Sequence, residues 1–108
     1  MTAADGLVVY VAEVSERVVG TASTIAMPNV TYACAPTLFI EAVVVVPVLR
    51  RRGIATALLQ QILADAKAAG CHKVQLLSHK RHADDGAHTL YTTVGFNPEA
   101  EGFRLYLG

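Results

Sequence analysis

The feature that most constrains this chain is the junction between a valine run and an alanine-rich, amphipathic stretch. Val43-Val44-Val45-Val46 is followed by Pro47-Val48-Leu49-Arg50-Arg51-Arg52-Gly53-Ile54-Ala55-Thr56-Ala57. Four consecutive valines inside the apolar run Thr37 to Val46 predict a strand buried on both faces, and therefore a central one. Pro47 ends it, because proline has no N–H to give to a ladder. Beyond the arginines, Ile54, Leu58, Ile62 and Ala66 recur every four residues, and Ala57, Leu59 and Leu63 widen the stripe. That period predicts a helix from Ile54 to Ala69, with Gly70 as the residue after its end.

The flanking segments read as shorter elements. Leu7 to Val14 and Val18 to Ala26 are rich in β-branched residues and surround the polar break Ser15-Glu16-Arg17, which predicts an antiparallel hairpin. Met27-Pro28-Asn29-Val30-Thr31 reads as a loop, and Lys73 to Ser78 as a short strand. Ala87, Leu90, Tyr91 and Val94 share one helical face, Asp84 or Asp85 is placed to cap that helix, and Gly95 stops it. Phe103 to Leu107 reads as a last strand. The order β-β-β-α-β-α-β predicts an α/β (α+β mixed) fold. Its mixed, mostly antiparallel sheet is flanked by two helices in a single domain over residues 1–108.

Composition narrows the function. A chain of 108 residues, 53% apolar and 17% charged, has material for one core. Nine basic residues balance nine acidic ones, so no global field draws nucleic acid or an anionic membrane, and any anion site must be local. Met1 to Gly6 shows no basic flank before an apolar core. The apolar stretch Ala42 to Leu49 is too short to span a bilayer. The expectation is a cytoplasmic protein with free thiols at Cys34 and Cys71. His72, His79, His82 and His88 show no structural-zinc spacing with these cysteines, so no metal is expected.

The local anion site is at the junction. The first turn of a helix leaves backbone N–H groups without intrahelical partners, and its dipole makes that end positive. Gly53 and Ala55 are small enough to let a pyrophosphate approach the backbone closely. Arg50, Arg51 and Arg52 add charge-assisted hydrogen bonds. Neither a Gly-Lys-Ser/Thr ending nor a Gly-x-Gly-x-x-Gly pattern is present, which sets aside the common nucleotide loops. The plainer alternative is a solvated basic surface, against which stands the position of the run at a helix start beside Gly53.

Arg50-Arg51-Arg52-Gly53-Ile54-Ala55 resembles the coenzyme A signature of the GNAT N-acetyltransferase superfamily, (Arg/Gln)-x-x-Gly-x-(Gly/Ala) after an apolar strand. Three further blocks are similar to family patterns: Ile40-Glu41 leading the valine run, Gly70-Cys71-His72-Lys73-Val74, and Leu90-Tyr91-Thr92-Thr93-Val94-Gly95-Phe96. The resemblance covers Val8 to Leu107, and its middle also looks like the amino-sugar-phosphate branch. It implies acetyl-coenzyme A as co-substrate, bound by Arg50, Arg51, Arg52, Gly53, Ile54, Ala55 and Thr56, and a small-molecule primary amine as acceptor. In the same light the loop His79-Lys80-Arg81-His82 is placed to reach coenzyme phosphates.

Acetyl transfer needs a neutral amine, a stabilised oxyanion and a protonated leaving thiolate. By the resemblance, Glu41 is the general base, a role worth about 10²–10⁴-fold in rate. A solvent-facing glutamate on a strand is the plainer alternative. Backbone amides of the valine run are suited to the oxyanion and the pantetheine arm, because family members carry a bulge that parts this strand from the next. Alternation of amides points to Val43 and Val45. By the same resemblance, Tyr91 is the candidate acid for the thiolate. It also lies on the apolar stripe of its helix, and a tyrosine can bury its ring while presenting its hydroxyl.

Two departures from the family stand out. Met1 to Gly6 leaves no room for the strand and helices with which family members usually begin. This implies an open acceptor cleft, one completed by a second subunit in a homodimer, or weakened chemistry. The loop His79 to Gly86 lacks the asparagine that often bonds the pantetheine arm. These departures keep two other readings open. One is a module that binds acyl-coenzyme A or a partner without turnover. The other is an enzyme that acetylates a protein or peptide amine.

Overall fold

The β-branched runs at the start of the chain pair as their pattern predicts. In the computed structural model, which describes residues 7–27, 35–49, 53–77, 87–100 and 102–108, strand β1 (Leu7–Val14) lies antiparallel to β2 (Arg17–Met27). The turn between them is Ser15-Glu16, with φ of 51° and 67°. Two successive residues with positive φ match the twist of the flanking strands. β2 pairs antiparallel with β3 (Thr37–Val45), and β3 pairs parallel with β4 (Lys73–Leu76). The described sheet thus has the order β1-β2-β3-β4. Helix α1 (Ile54–Ala68) makes the crossover that a parallel pair requires. Helix α2 (Ala87–Val94) follows later. The chain forms two compact units, Met1–Leu76 and Leu77–Gly108.

Both helices stop by the same device. The amide of Cys71 donates to the Ala66 carbonyl and that of Gly70 to Lys67, with Gly70 at φ 75°. At the end of α2, Phe96 donates to Tyr91 and Gly95 to Thr92, with Gly95 at φ 119°. These are the paired bonds of a Schellman motif, which needs a left-handed residue after the helix, so glycine stands there at no steric cost. The Ala69 boundary expected from the sequence becomes the cap residue of α1.

Cross-strand partners share a face, and their burial shows which face α1 covers. Gly20, Ala22 and Thr24 of β2, with Leu38, Ile40 and Val45 of β3, are buried beneath Leu58, Leu59, Ile62 and Ala66 of α1. Burying these aliphatic side chains contributes roughly 1.5–3 kcal/mol for each large one. At the outer strand, the Tyr10 hydroxyl donates to the Asp65 carboxylate of α1 at 2.7 Å, and Gln61 donates to the same group. Partial burial, then the bond to Asp65 and its charge, push the Tyr10 phenol up to about 12. This clasp therefore keeps its proton at neutral pH.

Gly20 sets how closely α1 approaches. A Cβ at this position would lie 3.0 Å from Ile54 Cγ2, 3.3 Å from Leu58 Cδ1 and 3.4 Å from the Val44 carbonyl oxygen. A glycine inside a strand commonly marks such an approach. Gly20→Val is expected to cost about 1–3 kcal/mol by overpacking. At roughly 4–8 °C per kcal/mol, calorimetry would read this as a clearly lowered Tm.

Three expectations need correction. The valine run is neither buried on both faces nor flanked by described strands on both sides: Val45 is buried, Val44 on the opposite face is 56% exposed, and the ladder of β3 with β4 ends at Ile40. Within this unit α1 covers one face, and residues alternate across a strand. Phe103 to Leu107 forms no ladder among the described residues, and Phe103, Leu105, Tyr106 and Leu107 are all exposed. An extended segment has no internal hydrogen bonds, so its apolar content alone does not make it a strand. The strand expected from Lys73 to Ser78 is described as far as Leu76, and Ser78 lies outside the described residues. Asp84, Asp85, Cys34, His79 and His82 also lie outside them. Cys71 is a free thiol.

Candidate active site

β3 changes partners along its length, and that change creates the site. Its parallel ladder with β4 runs from Thr37–Lys73 to Ile40–Leu76 and stops, whereas β3 itself continues to Val45. From Glu41 onward β3 has β2 on one side and an edge unpaired by any described strand on the other. At the same point the register with β2 slips. Ser23 faces Glu41 and Thr21 faces Val44, which leaves Ala42 and Val43 opposite Ala22 alone. Two residues against one is a β-bulge, which bends a strand and interrupts its pairing. Ala42 has φ 53°, a left-handed conformation that costs a non-glycine residue about 1–2 kcal/mol.

The amides of the exposed edge follow from one hydrogen bond. The Val46 N–H donates to the Val19 carbonyl at 2.9 Å, so it points to β2. Successive strand amides alternate, so that of Val45 points the other way, toward the open edge, and so does that of Val43.

The edge leads to the start of α1. Gly53 is the cap residue, at φ 80° and ψ 5°, and no side chain caps the helix. The first turn carries no acidic residue, and the first helical bond runs from the Ala57 N–H to the Gly53 carbonyl. The amides of Ile54, Ala55 and Thr56 precede that bond and have no intrahelical acceptor. Among the described residues, no atom lies within 4 Å of where a Cβ on Gly53 would stand, so they leave the backbone open to a ligand there. The Ile54 side chain packs over Gly20, which leaves its amide as the group able to meet an anion. Arg50, Arg51 and Arg52 lie outside the described residues.

Glu41 projects from the face that α1 leaves uncovered, exposed and directly across from Ser23. Tyr91 is half-buried on α2. Its ring meets that of Phe96 edge-on at a centroid distance of 6.3 Å and an interplanar angle of 77°. This is the apolar contact that accompanies a Schellman end, so the ring has a packing role. Among the described residues, no three His, Cys, Asp or Glu side chains gather as metal ligands. Sequence reasoning passed over Gly20 and Ala42. An isolated glycine within a β-branched run was the available signal for the first.

A strand edge opened by a bulge, leading to an uncapped helix end, offers backbone donors at two places. The model of the acetyltransferase (GNAT) family matches residues 2–96. The chain belongs to this family. As a GNAT protein it is an acyltransferase. A solved protein from Agrobacterium tumefaciens, assigned as an acetyltransferase, is 33% identical with a TM-score of 0.89, over 96% of this chain and 71% of its own. An acetyltransferase from Trypanosoma brucei is 31% identical with a TM-score of 0.81, over 94% and 70%. Glucosamine-6-phosphate N-acetyltransferase from Arabidopsis thaliana, at 22% identity and a TM-score of 0.83 over 96% and 69%, shares the fold. Comparison with curated proteins finds no match.

Proposed function

We propose that this GNAT domain transfers the acetyl group of acetyl-coenzyme A to a primary amine of a small molecule, by direct attack of the amine on the thioester. The observation that carries this reading is the edge of β3 opened by the bulge at Ala42. The pantetheine arm lies along that edge as an added strand, bonded by the amides of Val43 and Val45. The pyrophosphate meets the amides of Ile54, Ala55 and Thr56 beside Gly53, and Arg50, Arg51 and Arg52 add positive charge.

In the reaction Glu41 takes a proton from the ammonium, directly or through water. The amine nitrogen bonds to the thioester carbon, and the carbonyl oxygen carries the negative charge of the tetrahedral intermediate. A backbone donor at such an oxygen is worth about 2.7–4 kcal/mol of barrier. The carbon–sulfur bond then breaks, the thiolate takes a proton from Tyr91, the nitrogen's second proton passes through water to restore the Tyr91 hydroxyl, and Glu41 releases its proton to solvent. The products are the acetamide and free coenzyme A. The same reading makes the protein cytoplasmic. It also makes it a homodimer, because Val9, Val11 and Val44 leave apolar surface exposed.

The test is to supply acetyl-coenzyme A with a panel of primary amines, amino sugars among them, and with peptides. The expected outcome is free coenzyme A thiol in step with an acetylated small amine. Acetylation of peptides alone would move the acceptor to proteins. Bound acetyl-coenzyme A with no acetylated product would leave a binding module.

A further inference from the structure

The strand pairing sets Val9, Ser23 and Glu41 in one row across β1, β2 and β3. Directly paired residues share a face, and Val9 is 59% exposed, so the row lies on the face that α1 leaves uncovered. Ser23 is half-buried there and Glu41 is exposed. Around Glu41 on the same face stand Phe39, two residues earlier on β3, and Ile25 and Thr21, which flank Ser23 along β2. None of these is charged. Gln75 of β4 is a further polar group, but it pairs with Phe39, one step back along the face. Ser23 is therefore the polar side chain directly opposite Glu41. Opposed side chains stand about 4.5–5.5 Å apart at their Cβ atoms, within reach of a hydroxyl and a carboxylate that folds back over the sheet.

The backbone holds the two residues differently. At Ser23, β2 has a strand on each side, through the pairs with Val9 and Glu41. Glu41 lies where regular pairing ends. The ladder with β4 stops at Ile40, the register with β2 slips just beyond the Ser23–Glu41 pair, and Ala42 has φ 53°. A general base acts only within hydrogen-bonding reach of the proton it takes. An exposed glutamate, with several rotatable bonds beside irregular backbone, spends much of its time elsewhere. A hydroxyl on the doubly paired strand is a fixed point for it. We propose that Ser23 is a positioning residue: its hydroxyl donates to one carboxylate oxygen of Glu41 and so turns the other toward the acceptor amine. Ser23 transfers no proton and acts only through Glu41. The inference rests on the reading of Glu41 as the base.

A double-mutant cycle in steady-state kinetics tests this, with acetyl-coenzyme A and glucosamine, or whichever amine of the panel above is acetylated fastest. Ser23→Ala is expected to lower kcat about tenfold, the scale of one charge-assisted hydrogen bond. KM for acetyl-coenzyme A stays as it was, because the coenzyme is held at the β3 edge and the α1 start. Ser23→Thr keeps the hydroxyl and recovers most of the loss. In the Glu41→Gln background, Ser23→Ala costs nothing further, since a side chain that takes no proton gains nothing from being oriented. A merely structural role for Ser23 would give the same loss in both backgrounds. That additive result, or a kcat for Ser23→Ala equal to the wild type, overturns the proposal. Failure of the wider reading looks different: Glu41→Gln alone then leaves the rate unchanged, and with no base to position both readings fall.

Discussion

Glu41→Gln lowers the rate of acetyl transfer by about 10²–10⁴-fold, the usual worth of a general base. The side chain is exposed and on the face opposite α1, so the substitution removes charge without disturbing the core. Glutamine keeps the shape and cannot accept the proton. The loss should therefore be largest at low pH, where the amine is protonated, and should shrink as pH rises and the free amine accumulates. A pH profile of kcat/KM reads this directly: the variant falls furthest below the wild-type enzyme at low pH and approaches it as the free amine accumulates. An unchanged rate and an unchanged profile would remove Glu41 from the mechanism and leave it a solvated residue on a strand.

The second large effect is expected at Gly53. With φ at 80° and no atom of the described residues within 4 Å of a Cβ, a side chain here meets backbone strain rather than a clash with them. Gly53→Ala carries that strain, about 1–2 kcal/mol, without charge. Gly53→Glu carries the same strain and also places a carboxylate at the helix start. The helix itself tolerates this, since negative charge is favourable near its N-terminus, so the folded protein should persist. The ligand does not tolerate it, because like charges brought together cost several kcal/mol. Acetyl-coenzyme A affinity is expected to fall by about 100-fold or more in Gly53→Glu and by far less in Gly53→Ala. For the wild-type protein, ligand at about 100 times Kd stabilises by about 2.7 kcal/mol. That corresponds to a rise of roughly 10–20 °C in Tm, which Gly53→Glu should lose.

Local signals in the sequence carried much of this architecture. The hairpin about Ser15-Glu16 was legible because β-branched runs flank a polar break. Both helix ends were legible because Gly70 and Gly95 occupy positions that need positive φ. The crossover from β3 through α1 to β4 followed from a change of hydrophobic period from strand to helix. Features that depend on what lies across the sheet were not legible. Ala42 is an ordinary residue by composition, and its left-handed φ comes from the slip between Ser23–Glu41 and Thr21–Val44. Val44 looked buried because a valine run does not say how many faces are covered. Which way the amides of the valine run point was not legible either, since the direction of the Val46 amide is a property of the β2–β3 register. Phe103 to Leu107 shows the same limit, since strand formation depends on a partner as well as on apolar content.

The central claim is that the thioester arm lies as an added strand on the open edge of β3, and amide hydrogen exchange tests it residue by residue. With acetyl-coenzyme A bound, the amides of Val43 and Val45 should become protected, and so should those of Ile54, Ala55 and Thr56. The amide of Val46, already bonded to Val19, should change little. Protection that left Val43 and Val45 untouched while acetyl-coenzyme A was bound would contradict the account and place the arm elsewhere.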